Sequence, residues 1–447
     1  MPNNMRHLVI KNFGPIRNAD LQLGQVNVLI GMQSSGKSCV LKTACYCTWV
    51  EKRLELSQKV NGFGNGSSFI DIMTSYYQMA GYVHPDTYIE YETGHVFFSY
   101  SHSEKKFTMR WKNAHWNYKR PKVSYVPADR NLVASIPGWS FLPLDGNMLD
   151  FMSDWDRARK FVKSEENFLN LGMSYTYDSQ TNTDNIRLEN GTPLKLKESS
   201  SGIQSLLPMY VHLDYLTAGQ YNAEAGKMSY EQKEERKNLL STIYANLYEK
   251  DFNHEETIEV VTIDGVDYLF TKPDQAKKFK SICQEYINVD HSEIFLEEPE
   301  DNLFPPTQCQ FVNWMLEQIK THGDMLFITT HSPYVLNQLI KAAPKELSVM
   351  FTHPQKPASR DFSVKQLNDE EIHEAYDNSS ILSKSVTSNT DERFKNLFAA
   401  INGNSEFRAL KMTLKYLLDM QYNTDISELT QIFGGEAREE NRVTGEV

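Results

Sequence analysis

Residues Gly31-Met32-Gln33-Ser34-Ser35-Gly36-Lys37-Ser38 satisfy G-x-x-x-x-G-K-[ST] at every fixed position. Their flanks fix the local fold. Gln25-Val26-Asn27-Val28-Leu29-Ile30 is a short β-branched run suited to a buried strand. Val40, Leu41, Ala44, Cys45 and Thr48 then recur at helical spacing. Strand, glycine loop and helix together predict an α/β chain with a phosphate-binding loop. The alternative is a glycine-rich turn that matches by chance. Glycines let successive N–H groups turn inward on phosphate oxygens, and the helix N-terminus adds partial positive charge. The expected ligand is a nucleoside triphosphate with magnesium. Gly31, Gln33, Ser34, Ser35, Gly36, Lys37, Ser38 and the following Cys39 are its candidate contacts. Lys37 would reach the β- and γ-phosphates, and the Ser38 hydroxyl would ligate Mg²⁺.

A chain of 447 residues holds about two to three domain-sized units. It has no apolar run of about eighteen residues and no leader pattern at its start, so a cytoplasmic location without a membrane is expected. A net charge of −12 argues against coating nucleic acid by general electrostatics, although a local basic groove stays open. The five cysteines, Cys39, Cys45, Cys47, Cys283 and Cys309, form no C-x-x-C pair, so reduced, buried thiols are expected rather than a zinc site.

Three further segments bear on chemistry. Glu293-Ile294-Phe295-Leu296-Glu297-Glu298-Pro299-Glu300-Asp301 reads as an apolar strand ending in paired carboxylates and a turn. Glu297 is placed to hold Mg²⁺ and Glu298 to act as general base on water; a plain charged turn is the alternative. Met325 to Thr330 is an apolar strand that ends at His331, a group able to sense a γ-phosphate or simply to close a strand. Ser201-Gly202-Ile203-Gln204 precedes an apolar helical stretch, so Ser201, Gly202 and Gln204 mark either an anion site or an ordinary helix cap.

Taken in chain order, as P-loop, Ser-Gly-x-Gln, carboxylate pair and strand-end histidine, the four elements resemble ABC-type ATPase heads. They are most similar to the RecF/SMC/Rad50-related branch, and within it to the ATPase half of the OLD (overcoming lysogenisation defect) family. Leu8-Val9-Ile10-Lys11-Asn12-Phe13-Gly14-Pro15 resembles that family's first strand and turn. Glu297-Glu298-Pro299-Glu300 with Leu303-Phe304-Pro305 resembles its Glu-Glu-Pro-Glu-x-x-Leu-His-Pro pattern. The resemblance implies a P-loop NTPase of ABC-ATPase-like form: a mixed sheet, an antiparallel β subdomain and helical insertions. It also implies a homodimer, or a larger oligomer, with ATP and Mg²⁺ held between one subunit's P-loop and the partner's Ser201 and Gly202. Glu298, Lys37 and His331 would be catalytic, and Ser38 and Glu297 would hold the metal. Three departures stand out. Ile203 replaces a second glycine, Phe304 replaces the histidine of the Leu-His-Pro turn, and no glutamine loop can be placed. Asp129-Arg130 resembles the Pro-Ala-Glu-Arg stretch of related ATPases. Arg130 is expected either at the nucleotide, at the dimer partner, or in a surface ion pair.

The predicted organisation is an N-terminal ATPase lobe over 1–135 and an insertion plus signature-helix lobe over 136–290. A C-terminal ATPase lobe follows over 291–355, then a helical extension with a loose tail over 356–447. Residues 87–127 read as antiparallel strands. Within them, residues 105–122 carry seven Lys/Arg and no acid among aromatics, which fits either a nucleic-acid contact or two strands with outward lysines. The run beginning at Met228 reads as a charged helix, a solvated face or an oligomer contact. Too few residues follow Phe351 for the Toprim nuclease domain of OLD proteins. The expectation is therefore an ATPase controlling a separate nuclease or toxin effector, as in anti-phage defence. The alternatives are a nucleotide-gated scaffold with negligible hydrolysis, or a RecF-like DNA-binding repair protein.

Overall fold

The computed structural model describes residues 6–136, 145–162, 166–169, 171–222, 230–248, 259–343, 347–356, 359–368 and 370–372. The predicted linker over 378–390 and the predicted helix through Leu410, Leu414 and Leu417 lie outside the described residues.

The chain opens with β1 (Arg6–Phe13), β2 (Ile16–Leu23) and β3 (Val26–Ile30), followed by α1 (Lys37–Ser57) and α2 (Ser68–Tyr76). A meander of β4 (Val83–Glu92), β5 (Val96–Ser101) and β6 (Lys106–Trp111) leads to β7 (Pro121–Val126). After α3 (Leu132–Ser135) and α4 (Gly146–Phe161) come β8 (Glu166–Asn167), β9 (Met173–Asp178), β10 (Thr183–Leu188) and β11 (Pro193–Lys195). Next are α5 (Ser201–Asp214), α6 (Gln220–Asn222), α7 (Tyr230–Tyr248), β12 (Glu259–Ile263), β13 (Val266–Phe270) and α8 (Pro273–Ile287). The last elements are β14 (His291–Glu297), α9 (Pro305–Lys320), β15 (Met325–Thr330), α10 (Pro333–Ala342), β16 (Leu347–Pro354) and β17 (Phe362–Gln366).

Among the described residues, eleven strands form one sheet in the order β6-β5-β4-β1-β2-β17-β16-β3-β15-β14-β7. Strands β16, β3, β15, β14 and β7 run parallel, and β2, β1, β4, β5 and β6 form an antiparallel meander. This is the α/β P-loop architecture predicted from the sequence: a mixed sheet, an antiparallel region and helical insertions. Two details differ from the reading. β7 pairs in parallel with β14 and is not part of the antiparallel set, because it lies beside the nucleotide-loop strands rather than the meander. The sheet also continues past residue 355, since β17 joins the meander to the parallel half by pairing β2 on one side and β16 on the other.

Parallel strands are covered on both faces and so read as continuous apolar runs. Every residue of β3 and β15 is buried. One face packs α1 against Leu29, Phe295 and Phe327; the other packs α5, α9 and α10 against Val28, Leu296 and Ile328. A third core unites α7, the β12–β13 hairpin and α8 around Leu240, Ile243, Tyr268 and Phe279, so the charged helix after Met228 buries an apolar stripe there. A polar joint ties this unit to α1: Tyr286 donates to Glu55 at 2.8 Å, and His115 Nδ1 lies 3.1 Å from the same carboxyl. Burial pushes Glu55 well up and His115 down to about 4, which leaves a neutral hydrogen-bonded cluster.

The basic stretch over 105–122 is largely spoken for. Lys112 pairs Glu92, Lys119 pairs Asp290, Lys122 pairs Asp154, and Arg110 lies over the Phe97 ring. Phe107 is buried and Trp111 stacks on His115. The cysteines are free thiols, buried except for a half-buried Cys309.

Trp155 of α4 is wholly buried beside Tyr175 of β9 and pins the four-stranded sheet β11-β10-β9-β8 to the main core. Trp155→Ala should cost about 3–5 kcal/mol by removing a large buried side chain. A denaturant midpoint unchanged from the parent would show that this insertion is not packed as described.

Candidate functional site

The carboxyl ends of β3, β14, β15 and β7 meet at one edge of the sheet, where open α/β sheets place their ligands. The loop after β3 has little freedom. A Cβ at Gly31 would sit 1.9 Å from Thr352 Oγ1, and Thr352 donates to buried Ser35 at 2.6 Å. Gly36 has φ of 92° and caps α1, a left-handed conformation that favours glycine. Ser34 also has positive φ, 59°, and is exposed with Gln33, while Cys39 is buried against the Phe13 carbonyl. Ser38 is half-buried in the first turn of α1.

Lys37 is buried and folds back on the loop, donating to the Gly31 and Met32 carbonyls at 3.1 and 2.9 Å. Its Nζ lies 3.0 Å from His331 Nε2 and 3.4 Å from Nδ1. His331 Nε2 also lies 3.1 Å from Glu298 Oε1. With the ring proton on Nε2, the imidazole donates to Glu298 while Nδ1 accepts from Lys37. Burial lowers Lys37 to about 8 against the nearby charges of Glu298, Glu300 and Glu297. Glu298 is held below the usual carboxylate range, first by the hydrogen bond from His331, with the charge of Lys37 adding to it. Glu298 has φ of 42°, a costly conformation for a residue with a side chain, and its N–H donates to Thr329 at 2.8 Å.

Glu297 ends β14 and is buried. Its Oε2 accepts from the Ala128 N–H at 3.4 Å, and its Oε1 has no partner among the described residues. A carboxyl group left with a buried bare oxygen beside a phosphate-type loop fits a site for a cation.

Arg130 corrects the sequence expectation. It does not lie at the surface but is fully buried. It donates to Glu297 and Glu298 carbonyls at 2.9 and 2.8 Å, and to Pro127 and Ser205 carbonyls at 3.2 Å each. A surface ion pair is excluded by that burial, and among the described residues no carboxylate lies in ion-pair range.

Glu300 was not singled out from the sequence. Its Oε1 accepts from the His331 and Ser332 N–H groups, the latter at 3.1 Å, so it fixes the turn that presents the imidazole. Burial raises this carboxyl. The Glu-Glu-Pro-Glu run was the available signal, because a third acid in so short a turn is not needed for metal or base. Ser332 caps α10 and donates to Gln308.

The Ser201 region forms a helix start with Ser200 as its cap. Ser201 is exposed, and its hydroxyl bonds none of the described residues. Gly202 lies against the Asn302 carbonyl, 2.9 Å from where a Cβ would stand. Gln204 turns back to the Lys197 and Ser199 carbonyls at 3.1 and 2.9 Å. Phe304, at the start of α9, is 73% exposed.

No family model matches the chain, and no curated protein matches it. Solved structures do. The SMC head domain from Thermotoga maritima is 11% identical with a TM-score of 0.36, over 81% of this chain and 99% of that chain. The recombination mediator protein RecF-ATPrS of the RecFOR pathway is 10% identical at 0.27, over 81% and 98%. An Smc head with an extended coiled coil, bound to a C-terminal domain of ScpA derived from Pyrococcus furiosus, is 11% identical at 0.29, over 86% and 99%.

Two outcomes follow from this geometry. Arg130→Met strips four buried carbonyls of their donor and should lower stability by at least about 3 kcal/mol in denaturant titration. Arg130→Lys should recover little of it, since one ammonium cannot span the four positions. Free Lys37 loses its proton above about pH 8. Nucleotide binding that needs the ammonium should therefore weaken as pH rises from 8 to 9.5, by up to tenfold per unit, with proton uptake seen by calorimetry in two buffers. Affinity constant across that range would remove Lys37 from the contact.

Proposed function

We propose that the chain is an ABC-like ATPase that closes as a homodimer around ATP and Mg²⁺. In this reading binding and hydrolysis control a separate effector, a nuclease or toxin, in a DNA-linked process such as anti-phage defence. The observation that carries the reading is the contact chain from Lys37 through His331 to Glu298, beside the unpartnered oxygen of Glu297. Gly31, Gly36 and the N–H groups at the start of α1 would cradle the phosphates, with Gln33, Ser34, Ser35 and Cys39 lining the loop. Ser38 and Glu297 would hold Mg²⁺, which offsets phosphate charge when bound.

Lys37 would exchange its loop carbonyls for phosphate oxygens and so release His331. His331 would then be free to sense the γ-phosphate, and Glu298 to take a proton from water. Ser201 supports the dimer reading, because it is exposed at a helix start and its hydroxyl bonds none of the described residues. By the resemblance to ATPase heads it would meet the partner's nucleotide, with Gly202 and Gln204 shaping that helix start. The resemblance to the OLD family supports the effector reading.

Glu298→Gln is the direct test. ATP binding should persist, turnover should fall at least about a hundredfold, and light scattering should show a more stable ATP-bound dimer. A variant that hydrolyses ATP at the parental rate would take Glu298 out of the reaction.

A further inference from the structure

The main sheet ends at β7, and no strand covers that edge among the described residues. Residues 122–125 instead line a groove of about 450 Å³. One wall comes from α1 and α2, through Trp49, Ile72 and Tyr76; the other comes from α4, through Phe151 and Ser153. Four strand residues offer roughly 13 Å of backbone edge. Pro121 opens this strand, as sheets tolerate only at an edge or a first position. The opposite edge is defended differently, with exposed Lys106 and Arg110 on β6.

The groove's chemistry narrows its occupant. Ile72 on its lip is 39% exposed. Lys122 and Arg157 are both engaged with Asp154, at 2.6 and 3.3 Å. Asp150 is left over: it accepts from the Tyr76 hydroxyl and meets no cation among the described residues. A strand edge with no neighbouring strand calls for another backbone, the apolar lip at Ile72 calls for an apolar side chain, and Asp150 calls for a positive charge.

We propose that β7 docks an extended segment of a second protein by strand addition, with an apolar side chain between α2 and α4 and a lysine or arginine at Asp150. The proposal deepens the effector reading by naming the face an effector would hold, and it rests on that reading only for the partner's identity.

The test needs no ATP turnover, so its failure is separable from failure of the ATPase reading. Random nonapeptides displayed on phage would be selected on the full chain and counter-selected on Ser153→Trp, which fills the groove from an exposed position. Enriched peptides should carry Lys or Arg and bind at least tenfold more weakly to Ser153→Trp and to Ile72→Lys. They should also bind tenfold more weakly when alternate amides are N-methylated. Asp150→Asn should weaken the basic peptides but not their norleucine analogues. Equal enrichment on native and filled chains would overturn the proposal, as would peptides indifferent to N-methylation. So would planar aromatic fragments that bind the groove when no peptide does.

Discussion

A single guanidinium holds the candidate site in shape. Arg130 lies in the interior with four backbone carbonyls for partners. Burying a charge without a counter-ion is costly unless its donors are satisfied, and here they are met by dipoles rather than by a carboxylate. Those carbonyls belong to the end of β7, the turn after β14 and the first turns of α5. Arg130 thus fastens the acidic turn to the helix that starts at Ser201. It also explains how Glu298 can sit at positive φ: Arg130 grips its carbonyl from one side and Thr329 takes its N–H from the other. Strain of this kind persists only where neighbours over-determine it.

The phosphate loop, the strand before it and the helix after it were legible because their information is local. A glycine pattern, a β-branched run and helical spacing each lie within a few residues, and β3 and α1 match them closely. The long-range partners were not legible. Nothing beside Asp129 reveals that Arg130 will be enclosed by α5 and β14, because those elements lie far along the chain. Likewise β7 was grouped with the meander it follows, whereas its partner β14 lies well downstream. β17 carries two serine and lysine positions among few apolar ones, too weak a pattern to announce a strand that joins both halves of the sheet. Of the candidate residues, the structure brings Lys37, His331 and Glu298 within bonding distance, while Gln204 turns to its own loop.

Glu300 and Thr352 show a second limit. Both shape the loops on which the candidate residues stand, and neither belongs to the chemistry. Residues that support a site leave only a composition that looks redundant in the sequence. Their role becomes visible once the turn they bond is seen in three dimensions.

Strand order also sets a timetable for biosynthesis. The strands β1, β2, β4, β5 and β6 pair only with one another on that side of the sheet and all precede β7, so they can form while the nascent polypeptide is still emerging from the ribosome. Strand β3, which leads into the phosphate loop, has no such neighbour: β15 and β16 flank it, and both are translated much later. An incomplete product therefore carries the glycine octet without the walls that hold it. Half-made molecules thus lack the two strands that flank β3 and shape the loop after it.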